Sequence, residues 1–220
     1  MSSQAAQDLF VSYVYQQRKA GSYFEIGAND PQEHSNTYLL EQDYGWEGIS
    51  VELDTIHVSN FRRNRRNRCI CGDATTLDYA KAMDGFFVQQ NIDYLSLDIE
   101  PAEQTFKALA RIPFHKYKFG VITYEHDLYV SGPEFQARSR AYLHSLGYRL
   151  IIPNVTLPGW GPFEDWWVFP ELVPTASLAA LEAAFEGHSE VTTPQILEFL
   201  QSAVTTRSEI MISSNLVFRI

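Results

Sequence analysis

Each of five apolar segments ahead of residue 130 runs into a carboxylate. The ends read Glu25-Ile26-Gly27-Ala28-Asn29, Glu52, Gly72-Asp73, Asp98-Ile99-Glu100 and Glu125-His126-Asp127. A pyrophosphate site would need a glycine-rich turn that lets the backbone reach the phosphates. The first turn here holds one glycine, Gly27, and is followed by Asp30 and Glu33, which would repel phosphate. An acidic turn of this kind suits a cationic, phosphate-free ligand. S-adenosylmethionine offers a sulfonium and an ammonium for carboxylates, a ribose diol for Glu52 and an exocyclic amine for Asp73, with the Ala74 amide toward a ring nitrogen. Glu52 lies about 25 residues after Gly27, the separation that one βα unit gives a diol-binding acid. Two other readings stay open at this point: acids that are merely solvated, and a nucleotide- or nucleotide-sugar-using enzyme on a similar sheet.

A second set of residues could act on an acceptor. Asp98 and Glu100 are two apart at a strand end, so their side chains leave the same face. His126, flanked by Glu125 and Asp127, is the candidate base for a hydroxyl, because histidine titrates near neutrality; a structural histidine is the rival. Asp98, Glu125, Asp127 and Asp165 offer the carboxylates that magnesium favours, should they converge. Trp160, Trp166 and Trp167 with Phe163 read either as core or as a wall for stacking a sugar ring. The basic run Phe61–Arg68 reads as a solvated helix face or as a contact for an anionic substrate.

The elements that must position these residues follow from periodicity. Residues 4–19 carry Ala6, Leu9, Phe10, Tyr13 and Val14 at helical spacing, with Gly21 to end the helix. Strands are predicted at Tyr23–Ile26, Ile49–Leu53, Cys69–Cys71, Ile92–Leu97 and Phe119–Tyr124. Between them fall a helix capped by Ser35 or Asn36 and closed by Gly45, a polar helix through Arg68, a helical stretch over 75–90, and Ala102–Ile112. The helix Phe135–Leu146 follows. Tyr148–Ile152 and Phe163–Phe169 have no helix between them and should pair as an antiparallel hairpin. This alternation predicts a doubly wound, Rossmann-like α/β sheet of seven strands, mostly parallel with one reversed. In such a sheet, ligands bind beyond the carboxyl ends of the strands. The tail adds helices at Leu178–Phe185 and Ile196–Val204 and a β-prone end, Ile210–Ile220. The expected organisation is one domain over 1–172, with a C-terminal extension over 173–220 packed on it.

Composition narrows the classes. At 220 residues with 45% hydrophobic and 20% charged residues, the chain can fill a core without staples. A net charge of −10 argues against a nucleic-acid coat or a membrane-surface protein. No window approaches the ~18 uninterrupted apolar residues of a membrane span. The start, MSSQAAQDLF, lacks the basic and apolar regions of a secretion signal, so a cytoplasmic location is expected. Cys69 and Cys71, the two cysteines, are expected to be small buried residues on their strand.

An ordered set of motifs resembles the FkbM-like S-adenosylmethionine-dependent methyltransferases. It comprises Phe24-Glu25-Ile26-Gly27-Ala28-Asn29, Ser35-Asn36-Thr37 with Leu40-Glu41, Gly45-Trp46-Glu47-Gly48-Ile49-Ser50-Val51-Glu52, and Asp93–Glu100 with Ala102-Glu103. Glu125-His126-Asp127, Gly147-Tyr148 and Glu164-Asp165-Trp166-Trp167-Val168 continue it across residues 20–170. The resemblance implies the class I methyltransferase fold and O-methylation of a small-molecule or glycan hydroxyl; the acidic charge balance already predicts neither nucleic acid nor membrane as partner. Asp30 and Pro101 stand where the family usually has glycine, which keeps a cofactor-binding but inactive scaffold as the alternative. Residues and resemblance together assign Glu25, Gly27, Ala28, Asn29, Ser35, Glu52, Asp73, Ala74 and Asp98 to the methyl donor. They assign His126, Asp98 and Glu100 to catalysis.

Overall fold

The computed structural model describes residues 2–203. After a first helix, α1 (Gln7–Val14), strands and helices alternate: β1 (Ser22–Ile26), α2 (Tyr38–Tyr44), β2 (Glu47–Glu52), α3 (Thr55–Asn64), β3 (Arg68–Cys71) and α4 (Tyr79–Asp84). Next come β4 (Asn91–Leu97), α5 (Ala102–Arg111), β5 (Lys118–Glu125), the short α6 (Leu128–Ser131) and α7 (Pro133–Ser145). The hairpin strands β6 (Arg149–Thr156) and β7 (Glu164–Val168), α8 (Thr175–Phe185) and a two-residue β8 (Val191–Thr192) complete the named elements, and residues 193–203 are helical.

The strands form one eight-stranded sheet in the order β3-β2-β1-β4-β5-β7-β6-β8. β1 to β5 are parallel, and β7 runs antiparallel to both β5 and β6. The expected seven strands are all present; the eighth, β8, adds two residues beside β6. Chain order turns back between β1 and β4, which opens the crevice where such sheets bind ligands.

Three helices are shorter than their periodicity suggests. Left-handed backbone breaks the first at both ends, with φ 72° at Ala6 and 57° and 58° at Gln16 and Gln17. The polar helix stops at Asn64 because Arg65 turns extended, and Arg68 opens β3 instead. Of 75–90, α4 alone is a named helix. The β-prone stretch Ile210–Ile220 lies outside the described residues.

The sheet buries apolar side chains on both faces. Phe10, Tyr94 and Trp166 pack on one face, together with Val173, Leu178, Leu181, Phe185 and Ile196 from the tail. Phe24, Leu95, Phe119 and Trp167 pack on the other. Trp166 and Trp167 are consecutive on β7, so they point to opposite faces and both are spent on core. Neither can belong to a stacking wall, and nor can the buried Phe163. Cys69 is buried, whereas Cys71 is exposed, contrary to expectation. Among the described residues, no helix is long and apolar enough to cross a membrane.

Candidate functional site

A cavity of about 860 Å³ opens at the carboxyl ends of the parallel strands. Its floor depends on Gly27, which leaves β1 with φ 83°. The Gly27 and Ala28 amides both donate to the Val51 carbonyl, at 3.0 and 3.2 Å. A Cβ at Gly27 would lie 1.7 Å from the Asp98 carbonyl oxygen. The ends of β1 and β4 therefore approach as closely as a bare backbone permits.

Glu52 ends β2 with its carboxylate fixed by backbone. Oε2 accepts from the Asn29 amide and Oε1 from the Asp54 amide, each at 2.7 Å. Each oxygen keeps a second lone pair. Asp54 in turn caps α3 by accepting from the Ile56 amide. Asp73, beyond β3, accepts at Oδ1 from the Thr75 hydroxyl and amide, both at 2.7 Å. Those bonds hold its carboxyl below the ordinary range and leave Oδ2 free to face a ligand.

Glu25, Gly27, Ala28, Asn29, Glu52, Asp73, Ala74, Asp98 and Glu100, all singled out from sequence, line this one cavity. Ser35 does not. It is buried, with its hydroxyl accepting from the Tyr38 amide and from Arg65 Nη1, so it shapes the entry to α2 rather than touching a ligand. Asp30 and Pro101 do not line the cavity either. Asp30 turns the chain by accepting from the Gln32 and Glu33 amides at 2.9 Å, and Pro101 stands at the N-cap of α5.

His126 is also displaced from its expected role. Its ring is fully buried and does not line the cavity. Nδ1 accepts from the Leu128 amide at 3.2 Å, which assigns the ring proton to Nε2, 3.4 Å from Asp165 Oδ1. A base needs a free lone pair beside substrate, and this ring has none. Asp165 is likewise engaged elsewhere. Burial alone would raise its carboxyl, but the two-pronged Arg140 bridge, at 2.8 Å on each oxygen, outweighs burial and holds it low. Asp165 therefore does not join the other three acids weighed for magnesium. Among the described residues, no group of three or more His, Cys, Asp or Glu side chains is arranged to hold a metal ion.

The acceptor end carries a crowded set of carboxyls. Burial, then the adjacent Asp98, pushes Glu125 above the carboxylate range and favours its protonated form. No donor reaches its buried Oε2. Protonated, the carboxyl becomes a donor itself, with Asp98 as the acceptor in reach. Burial and the nearby Asp98 and Glu100 also raise Asp127. Sequence reading missed several wall residues: Gln4, His34, Asn36, His57, Gln104 and Tyr129. They come from turns and helix starts that carry no periodic signal. Trp160 is half-exposed at the mouth, its ring centroid 5.8 Å from that of Tyr129, and is the one tryptophan of the expected wall that lines the cavity.

Behind this cluster, burial raises Glu164 to about 8, even though Gln7 Nε2 and Trp166 Nε1 donate to its Oε2. The unfolded chain releases this proton near 4.5 and the folded chain holds it to about 8. The stability this proton supports is therefore complete below 4.5 and is lost as pH rises through 8. Glu164→Gln keeps the acceptor and removes the titration. Its melting temperature should match wild type in acid and exceed it increasingly through that window, at up to ~1.4 kcal/mol per pH unit. A difference that does not change with pH would contradict this.

No family model and no curated protein matches the chain. Solved structures do. An O-methyltransferase from Bacillus cereus, in complex with SAH, superimposes with TM-score 0.53 at 18% identity, over 75% of this chain and 81% of that one. A Clostridium thermocellum protein assigned as an rRNA methylase superimposes with TM-score 0.51 at 12% identity, over 76% and 96%. The chain shares with them a Rossmann-like α/β fold with a mostly parallel sheet. At these identities the likeness is one of fold.

Proposed function

We propose that the chain is an S-adenosylmethionine-dependent methyltransferase of the FkbM-like kind, acting on a hydroxyl of a sugar or other small metabolite. One observation carries the reading: Glu52 and Asp73, at the ends of neighbouring strands on the β2–β3 side of the Gly27 turn, present free carboxylate lone pairs in a cavity lined by no Lys or Arg among the described residues. Such a wall repels a pyrophosphate and suits a cation with a diol and an amine. The bound donor supplies an electrophilic methyl group. The chain's own task is to align the acceptor oxygen behind that methyl, the source of much of the rate in such displacements, and to take its proton. We assign that base to Asp98, which lines the cavity with Glu125 in hydrogen-bond reach of it, and assign Glu100, on the same wall, to orienting substrate. The same acidic wall, with the net charge of −10, favours a small acceptor over a polyanion such as RNA.

Calorimetry with S-adenosylmethionine, S-adenosylhomocysteine and NAD tests this directly. Micromolar binding of the first two and not of NAD is expected; binding of NAD alone would overturn the reading. Glu52→Ala should weaken the donor by about 10- to 150-fold, the value of hydrogen bonds to a charged group. Unchanged affinity in the folded variant would remove Glu52 from the ribose.

A further inference from the structure

The acceptor end of the cavity is built from groups of one polarity. Asp98, Glu100 and Glu125 line it, and Glu25, Glu52, Asp54 and Asp73 line the rest. A methyl donor with one net positive charge cannot balance both ends. A second, independent feature faces the same space. Asn36 is 5% exposed and lines the cavity, its Nδ2 donates to Ser96 Oγ at 3.0 Å, and its buried Oδ1 has no partner. Ser96 lies near the end of β4, two residues before Asp98, so this orphaned acceptor is anchored beside the strand end from which the acids follow. A buried acceptor left unpaired costs free energy that a donor on a ligand would recover.

The mouth adds π faces. Tyr129 and Trp160, 45% and 50% exposed, are tilted 49° to each other. Gly161 lets them meet, because a Cβ there would fall 2.3 Å from Tyr129 Cβ. Rings in this position attract a cation or the apolar face of a ring. The lobe thus offers hydrogen-bond acceptors, negative charge and aromatic faces, the complement of a protonated amine on a compact ring.

We propose that the acceptor carries a protonated amine in addition to its hydroxyl, held between the Asp98–Glu100–Glu125 carboxyls with Asn36 Oδ1 and the Tyr129–Trp160 rings. This rests on the methyl-donor reading of the other end of the cavity. Three probes of similar shape separate charge from shape: tyramine, its neutral amide N-acetyltyramine, and anionic p-hydroxyphenylacetate. Each is titrated calorimetrically, at physiological salt, into protein saturated with S-adenosylhomocysteine. Tyramine should bind about tenfold tighter than N-acetyltyramine, the value of one charge-assisted hydrogen bond, and the anion more weakly than either. Glu100→Gln, an exposed position that should fold normally, should bring the tyramine to N-acetyltyramine ratio close to one. Trp160→Ala should weaken both. Equal affinities, a preference for the anion, absence of tyramine binding, or a ratio that survives Glu100→Gln would overturn the proposal. Failure of S-adenosylhomocysteine to bind would remove the methyl-donor reading and this one with it. Donor binding without a charge preference would remove this one alone.

Discussion

A Gly27→Ala variant is expected to lose S-adenosylhomocysteine binding and to melt well below the wild-type protein. Two costs add at this position. With φ at 83°, an L side chain is strained by about 1–2 kcal/mol. The added methyl would also sit 1.7 Å from the Asp98 carbonyl oxygen, which is backbone and cannot rotate away. Relief requires β1 and β4 to part just where Ile26 pairs with Leu97 and the Asp98 amide donates to the Ile26 carbonyl at 3.0 Å. Overpacking of that kind costs about 1–3 kcal/mol more, a large share of the 5–15 kcal/mol that holds a typical domain folded. Gly187→Ala is the control, since it has φ 78° but nothing within 4 Å of its Cβ. The control isolates the dihedral cost. If Gly27→Ala melts with Gly187→Ala and still binds S-adenosylhomocysteine, the close approach of β1 to β4 is not what shapes the site.

Legibility in the sequence followed the kind of signal each residue carries. The inner parallel strands read clearly because both faces are buried, giving apolar runs of strand length, and their acids could be placed by counting to the strand ends. Glu25, Glu52, Asp73, Asp98 and Glu100 were found that way and share one cavity. His126 could not be placed by such counting. Asp127 turns left-handed with φ 47°, and the Phe163 carbonyl takes the amides of both His126 and Asp127. A contact from a segment some 37 residues away (126 to 163) thus decides which residue of Glu125-His126-Asp127 faces the ligand. Trp166 and Trp167 were ambiguous for a related reason: alternation says that one points up and one down, but not that both faces are core. Asn36 lies in the bend before α2 and Tyr129 in the single-turn helix α6, both too short for a period to mark the side that faces a cavity. The basic run was ambiguous too, because composition does not say which of its arginines turns inward.

That arginine is Arg65, and its replacement by alanine should destabilise the chain by about 3–5 kcal/mol, the cost of leaving a buried charge alone. All five of its N–H donors have partners: Glu41 Oε2 at 2.7 Å, the Pro31 carbonyl, the Ser35 and Thr37 hydroxyls and the Tyr23 hydroxyl. Arg65 and Glu41 are both fully buried at the side chain, so truncating Arg65 leaves the Glu41 carboxylate with Arg66 as its remaining charged partner, at 3.9 Å. The damage should reach the cavity. Thr37 Oγ1 accepts from Arg65 Nη2 and donates to Glu25 Oε1 at 2.9 Å, and Ser50 donates to Glu25 Oε2 at 2.6 Å. Burial already raises the Glu25 carboxyl, and Arg65 is the largest influence opposing that rise. Arg65→Ala should therefore raise it further and weaken donor binding as well as lower the melting temperature. Arg65→Lys should not rescue, because an ammonium cannot reproduce the planar fork. The double variant Arg65→Met, Glu41→Leu removes both charges and should regain most of the stability lost in Arg65→Ala. If the double variant is instead as unstable as the single one, the loss comes from the Pro31, Ser35 and Thr37 bonds that hold the turn into α2, and the ion pair with Glu41 contributes little.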